Sequence, residues 1–179
     1  MTVNKNLLVE CEISQYDWNA MMEADGPATN VPLAIRELLG ASCPEDAVKA
    51  YWKLENHVVV QGSLFEAAVC TVSVICASLV LNPRPKWVMI QLLELLFQLV
   101  SGESHSDEVK RGLTDLGEQC RAEASKSLWI LYGLFQEGEF SRAAREIIMQ
   151  LDGSPQRLTT LDELNRQNGR VDSDEPLKI

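Results

Sequence analysis

Apolar residues return every three or four positions through most of this chain, the spacing of helices that bury one face. Ser14 precedes a short pattern through Trp18 and Met22 that predicts a helix ended by Asp25-Gly26-Pro27. Pro32 occupies a first-turn position ahead of Ala34, Ile35, Leu38 and Leu39, and Gly40 follows as a stop. Pro44 opens the next helix, expected from Glu45 to Val60, which breaks sharply at Gln61-Gly62. Ser63 with Glu66 three residues later reads as a capping box for a very apolar helix reaching Leu81. Asn82-Pro83-Arg84-Pro85 separates that helix from one over Trp87–Val100, stopped at Gly102. A long pattern from Asp107 to about Gln136 predicts one helix, or two in line, weakened at Gly112, Gly117 and Gly133. Phe140 to Leu151 predicts another, and Leu158, Leu161 and Leu164 a weak extra one. Residues 165–179 read as a polar, mobile tail beyond a single domain of residues 1–164.

These elements predict an all-α fold of stacked antiparallel helical hairpins, with about seven to nine helices. Val72, Val74 and Ile75 are β-branched, but the capping box and the length of their run favour helix over strand. The only other segment that could pair as a strand is Leu7–Ile13.

Spacing side chains by about 100° shows what each helix has to bury. On the helix from Glu45, the residues Ala47, Ala50, Tyr51, Leu54 and Val58 share a wide arc with Val48, Trp52 and Val59, and Glu55 falls inside it. A buried carboxylate without a partner costs several kcal/mol or becomes neutral. Glu55 therefore meets an internal tie, such as Arg36 or backbone amides, or else a groove or partner. The Ser63–Leu81 segment carries large residues on one arc and small ones on the other, as expected of an inner helix contacted from two sides. Trp87, Gln91, Glu94 and Gln98 form one stripe, either a solvated edge or a protein-binding surface anchored by an indole.

Charge narrows the partners. A formal net charge of −10 disfavours nucleic acid, which is held largely by clustered Lys and Arg, and suits a basic protein partner. The basic residues Arg142 and Arg145 are interspersed with acids and read as a solvated face. The uncharged run Ala67–Leu81 falls short of the roughly 20 residues of a membrane helix, so no membrane association is expected. Five cysteines without framework spacing, three of them in apolar helical patterns, fit a reducing compartment and a cytoplasmic location.

Candidate chemistry is sparse. His57 and His105 belong to no metal-ligand spacing, no CxxC pair occurs, and no glycine-rich phosphate loop is present. Neither catalytic residues nor a cofactor or metal is expected.

The run Tyr51-Trp-Lys-Leu-Glu-Asn-His-Val-Val-Val-Gln-Gly-Ser-Leu-Phe-Glu-Ala-Ala resembles bacterial HEAT-like repeat proteins, in which a Trp-x-x-Leu-x-Asn helix passes through Gln-Gly into an apolar Glu-Ala-Ala helix. Glu139-Phe-Ser-Arg-Ala-Ala-Arg-Glu-Ile-Ile is similar to later repeats, so the resemblance spans roughly Pro44 to Asp152, without a clean repeat period. It implies a helical scaffold that binds another protein, and small acidic members of this kind often act as immunity proteins of polymorphic toxins. On that expectation the contact residues are Trp52, Glu55, Asn56, His57, Gln61, Trp87, Gln91 and Glu94, facing a basic toxin or effector domain. The alternatives are a ligand-binding or enzymatic domain with a pocket near Glu55 and His57, and a scaffold subunit of a housekeeping complex.

Overall fold

A computed structural model describes residues 6–80 and 84–167. Ten helices run through them: α1 (Leu7–Ile13), α2 (Val31–Leu39), α3 (Pro44–Val58), α4 (Ala67–Leu79), α5 (Lys86–Ser101), α6 (Ser106–Lys110), α7 (Leu116–Ser125), α8 (Leu128–Glu137), α9 (Ser141–Leu151) and α10 (Pro155–Gln167). The fold is all-α. The count exceeds seven to nine because the segment 107–136, expected as one or two helices, is divided among α6, α7 and α8. Gly112 turns the backbone to φ +92°, which no helix tolerates, and Leu113 N–H instead closes a turn onto the Glu108 carbonyl at 2.9 Å.

Local chemistry explains the boundaries of α3 and α4. Pro44 starts α3 where its missing N–H is harmless, and Glu45 and Asp46 sit at the positive end of the helix dipole. The helix stops at Val58, not Val60, because Val59–Val60 becomes extended and pairs with Ser63–Leu64 in a short sheet. Gln61 at φ +49° and Gly62 at φ +78° make the two-residue turn, the left-handed pair that matches hairpin twist. Ser63 is thus a strand residue, and no capping box forms: α4 begins at Ala67 with no side-chain cap. Glu66 instead accepts the Met22 N–H at 3.1 Å and the Arg111 guanidinium at 2.9 Å. A third two-residue strand, Glu103–Ser104, adds in parallel to Ser63–Leu64.

The N-terminal region departs further from expectation. Leu7–Ile13 is helical, and Ser14 ends that helix instead of starting the next. Trp18 folds back to donate its indole N–H to the Ile13 carbonyl at 2.9 Å, so it satisfies a helix end in place of extending one. Met22–Glu23 and Gly26–Pro27 then form a small antiparallel hairpin.

Packing contacts follow two runs, α2–α3–α5–α9–α8 and α1–α4–α7, cross-linked where α5 meets α4 and α7. The inner position expected of α4 is observed, since it touches α1, α3, α5 and α7. Thr71 and Ser78 are satisfied within the helix, Thr71 Oγ1 donating to the Ala67 carbonyl and Ser78 Oγ to Ile75, whereas Ser73 Oγ donates to Glu12 on α1. The centre is α5, whose Leu92, Leu93, Leu95, Leu96 and Leu99 are all fully buried. α10 extends to Gln167, past the expected domain limit at 164, and the rest of the expected tail lies outside the described residues. Among the described residues no helix is long and apolar enough to cross a membrane.

Candidate functional site

Of the eight residues singled out by sequence, Trp52, Glu55, Asn56, Gln91 and Glu94 lie on two helices that pack against each other, α3 and α5. Trp52 is 50% exposed and meets Tyr51 edge-to-face with ring centroids 5.2 Å apart. Val48, one turn earlier, is also exposed, as is Asn56 one turn later. On α5, Gln91 is half-buried and Glu94 exposed, the latter accepting the Gln98 amide at 3.2 Å. Tyr51 lies within electrostatic reach of both Glu94 and Glu55, but burial is the main force holding its phenol well above the ordinary range. The ring on which the exposed indole packs thus has a carboxylate within electrostatic reach on each of two adjacent helices.

Glu55 does not find its expected tie. Arg36 is committed to Glu10, with Nε and Nη2 at 2.8 and 2.7 Å from the two carboxylate oxygens. Among the described residues no cation or donor meets Glu55, and partial burial raises its pKa above the ordinary 4.5. A carboxylate whose folded pKa is raised binds protons more readily when folded, so its contribution to stability falls as pH rises through that window. Glu55→Gln is expected to raise the melting temperature at pH 7, with the difference vanishing below pH 4.5, where the native side chain is protonated too. A lower melting temperature for the variant at pH 7 would instead reveal a stabilising partner of Glu55.

The other three predicted residues stand apart. Gln61 is exposed at the tip of its hairpin. Trp87 is not a free anchor: it is half-buried and donates its indole N–H to the Ala41 carbonyl at 3.1 Å, capping the loop between α2 and α3. His57 points away from Glu55, because two residues on a helix are separated by about 200°. Its Nδ1 lies 3.3 Å from Glu23 Oε1 and 3.6 Å from Asp25 Oδ2. It lines a groove of about 260 Å³ with Glu23, Asn30, Leu33, Ala34 and Lys53, whereas Glu55 does not. The groove beside His57 is therefore not one that it shares with Glu55.

Sequence reasoning missed Glu23 and Trp129. The only signal for Glu23 is the Asp25-Gly26-Pro27 turn beside it, which gives no hint that the carboxylate is folded inward. Trp129, on α8, is 71% exposed, with the Arg157 guanidinium 5.3 Å from its ring centre. Arg157 also pairs at 2.9 Å with Asp152, which accepts the Tyr132 hydroxyl at 2.6 Å, so this cluster ties α10 to α8. Among the described residues no three His, Cys, Asp or Glu side chains converge as metal ligands would. No family model, curated protein or solved structure matches the chain.

Proposed function

We propose that this chain is a non-enzymatic protein-binding module of the HEAT-like kind, acting as an immunity protein that neutralises a basic bacterial toxin domain. One observation carries the reading: α3 presents the half-exposed Trp52 packed on Tyr51, which lies within electrostatic reach of two carboxylates, Glu55 and Glu94, that no cation neutralises among the described residues. Indoles are over-represented among interface hot spots, and carboxylates at their rim steer a cationic partner and reject an anionic one. The net charge of −10 supports the same sign of partner. The Tyr51–Ala68 resemblance supports the class, and the toxin role rests on that resemblance alone.

The test uses the native chain and its E55K/E94K variant as parallel baits in lysate of the host organism, followed by affinity measurement on any protein retained. A partner held by the native chain is expected to bind the variant at least about tenfold more weakly, equivalent to about 1.4 kcal/mol. Equal affinity at equal melting temperature would remove the α3–α5 face from the interface. Co-expression then addresses the role: the chain is expected to restore growth to cells producing the partner, and failure to protect would end the immunity reading.

A further inference from the structure

The α3–α5 face holds a polar group that the fold leaves without a partner. Tyr51 is only 6% exposed, and its ring meets Trp52 edge-to-face. Its hydroxyl makes no hydrogen bond among the described residues. That oxygen is nevertheless not one of the unbonded side-chain atoms sealed from solvent, so the buried ring delivers it to the surface. Glu55 follows Tyr51 by four positions on α3, a spacing that sets two side chains next to each other. Glu94 acts on the same phenol from α5, which packs against α3.

No cation of this chain completes the cluster among the described residues. On α3 itself, Lys49 lies 3.9 Å from Asp46 and Lys53 lies 2.6 Å from Glu37. Arg36 is held by Glu10. Glu55 meets no donor, and the hydrogen bond that Glu94 accepts from the Gln98 amide goes to Oε1, not Oε2. Acceptors on three side chains therefore lie together without a donor, beside a half-exposed indole. Groups of this kind gain most when a charged donor reaches them.

We propose that the Tyr51 hydroxyl, Glu55 and Glu94 form a seat for the ammonium group of a lysine side chain presented by the protein partner, with Trp52 covering its methylene stem. An ammonium carries three donors that rotate on a flexible stem, so it meets acceptors set on separate side chains. A guanidinium holds its donors in one plane and is best matched by the two oxygens of one carboxylate, not by acceptors divided among three residues. The indole adds a π-face for the cation and an apolar wall for the stem. This inference rests on the protein-binding reading of the same face and names what the partner inserts there.

Amide and indole N–H shifts of the intact chain are to be followed during titration with N-acetyl-lysine methylamide, its Nε-acetylated form, and N-acetyl-arginine methylamide. Saturable shifts at Trp52, Glu55 and Glu94 are expected with the lysine probe. The Nε-acetylated probe is expected to bind at least about tenfold more weakly, and the arginine probe at least about threefold more weakly. Tyr51→Phe keeps the ring and removes only the hydroxyl, and is expected to weaken the lysine response about threefold or more. No saturable shift with lysine, equal binding of the Nε-acetylated probe, equal or tighter binding of arginine, or an unchanged response in the variant each overturns the proposal. The probe comparison uses the native chain, so it decides the matter even if the variant folds poorly. If the probes fail while the native chain still retains a partner that E55K/E94K loses, the ammonium seat falls and the docking face stands. Saturable lysine binding with no partner retained supports the seat, and the protein-binding reading falls alone.

Discussion

Leu96→Ala is expected to lower the stability of the chain by about 3–5 kcal/mol, the upper part of the range for leucine truncation in a close-packed core. Leu96 is fully buried on α5, and α5 is packed against α3, α4, α7 and α9 at once. A cavity there cannot collapse by moving one neighbour, because each neighbour is itself fixed by others. Loss is therefore both the transfer of the side chain to water and the contacts its lining forfeits. Each kcal/mol corresponds to about 2–4 °C in melting temperature for a chain of this size, so a thermal scan resolves the effect easily. A loss below about 1 kcal/mol would mean that α5 is not the centre of the core. Leu33→Ala is the matching control: that side chain is 56% exposed on α2, and surface changes are usually within about 0.5 kcal/mol.

Gly117→Ala is expected to cost about 1–2 kcal/mol although it adds only one methyl group to a helix and improves intrinsic propensity. A Cβ at this position would sit 2.5 Å from the Gly102 carbonyl oxygen and 2.8 Å from Glu103 Oε2. Helix propensity favours alanine by about 1 kcal/mol, and overpacking a rigid contact costs about 1–3 kcal/mol or more. The steric effect wins because the facing atom is backbone, which has no rotamer to change. Relief would require the α7 start to move off the strand Glu103–Ser104, which is itself paired to Ser63–Leu64. Chemical denaturation of the two proteins gives the difference, and a stabilised variant would show that α7 does not approach the Gly102 turn. Gly133 offers a contrast on α8, since nothing lies within 4 Å of a Cβ there. Gly133→Ala is accordingly expected to be neutral or stabilising.

These two glycines look alike in sequence, each interrupting an apolar helical pattern, and both read there as weak points. One is open and the other is a close contact between elements separated along the chain. Similar limits apply to Glu55, whose position on a mostly buried arc marks it as unusual, while its expected partner Arg36 is taken by Glu10. Ser63 and Glu66 had capping-box spacing, yet the backbone between them pairs as strand, and Glu66 finds its donors on Met22 and Arg111. Trp87 lay on a polar stripe and read as exposed, but a carbonyl at Ala41 captures its indole. In every case the missing information was the identity of a partner distant in sequence.

Periodicity, proline placement and the Gln61-Gly62 pair were enough to establish helices, most of their limits and the sharp reversal after α3, because those depend on backbone dihedrals and on residues a few positions apart. Which helix became central, where Glu23 points, and why Glu55 and His57 serve different surfaces were decided only by packing. Those outcomes depend on long-range burial and on competition among donors and acceptors, which local spacing does not encode.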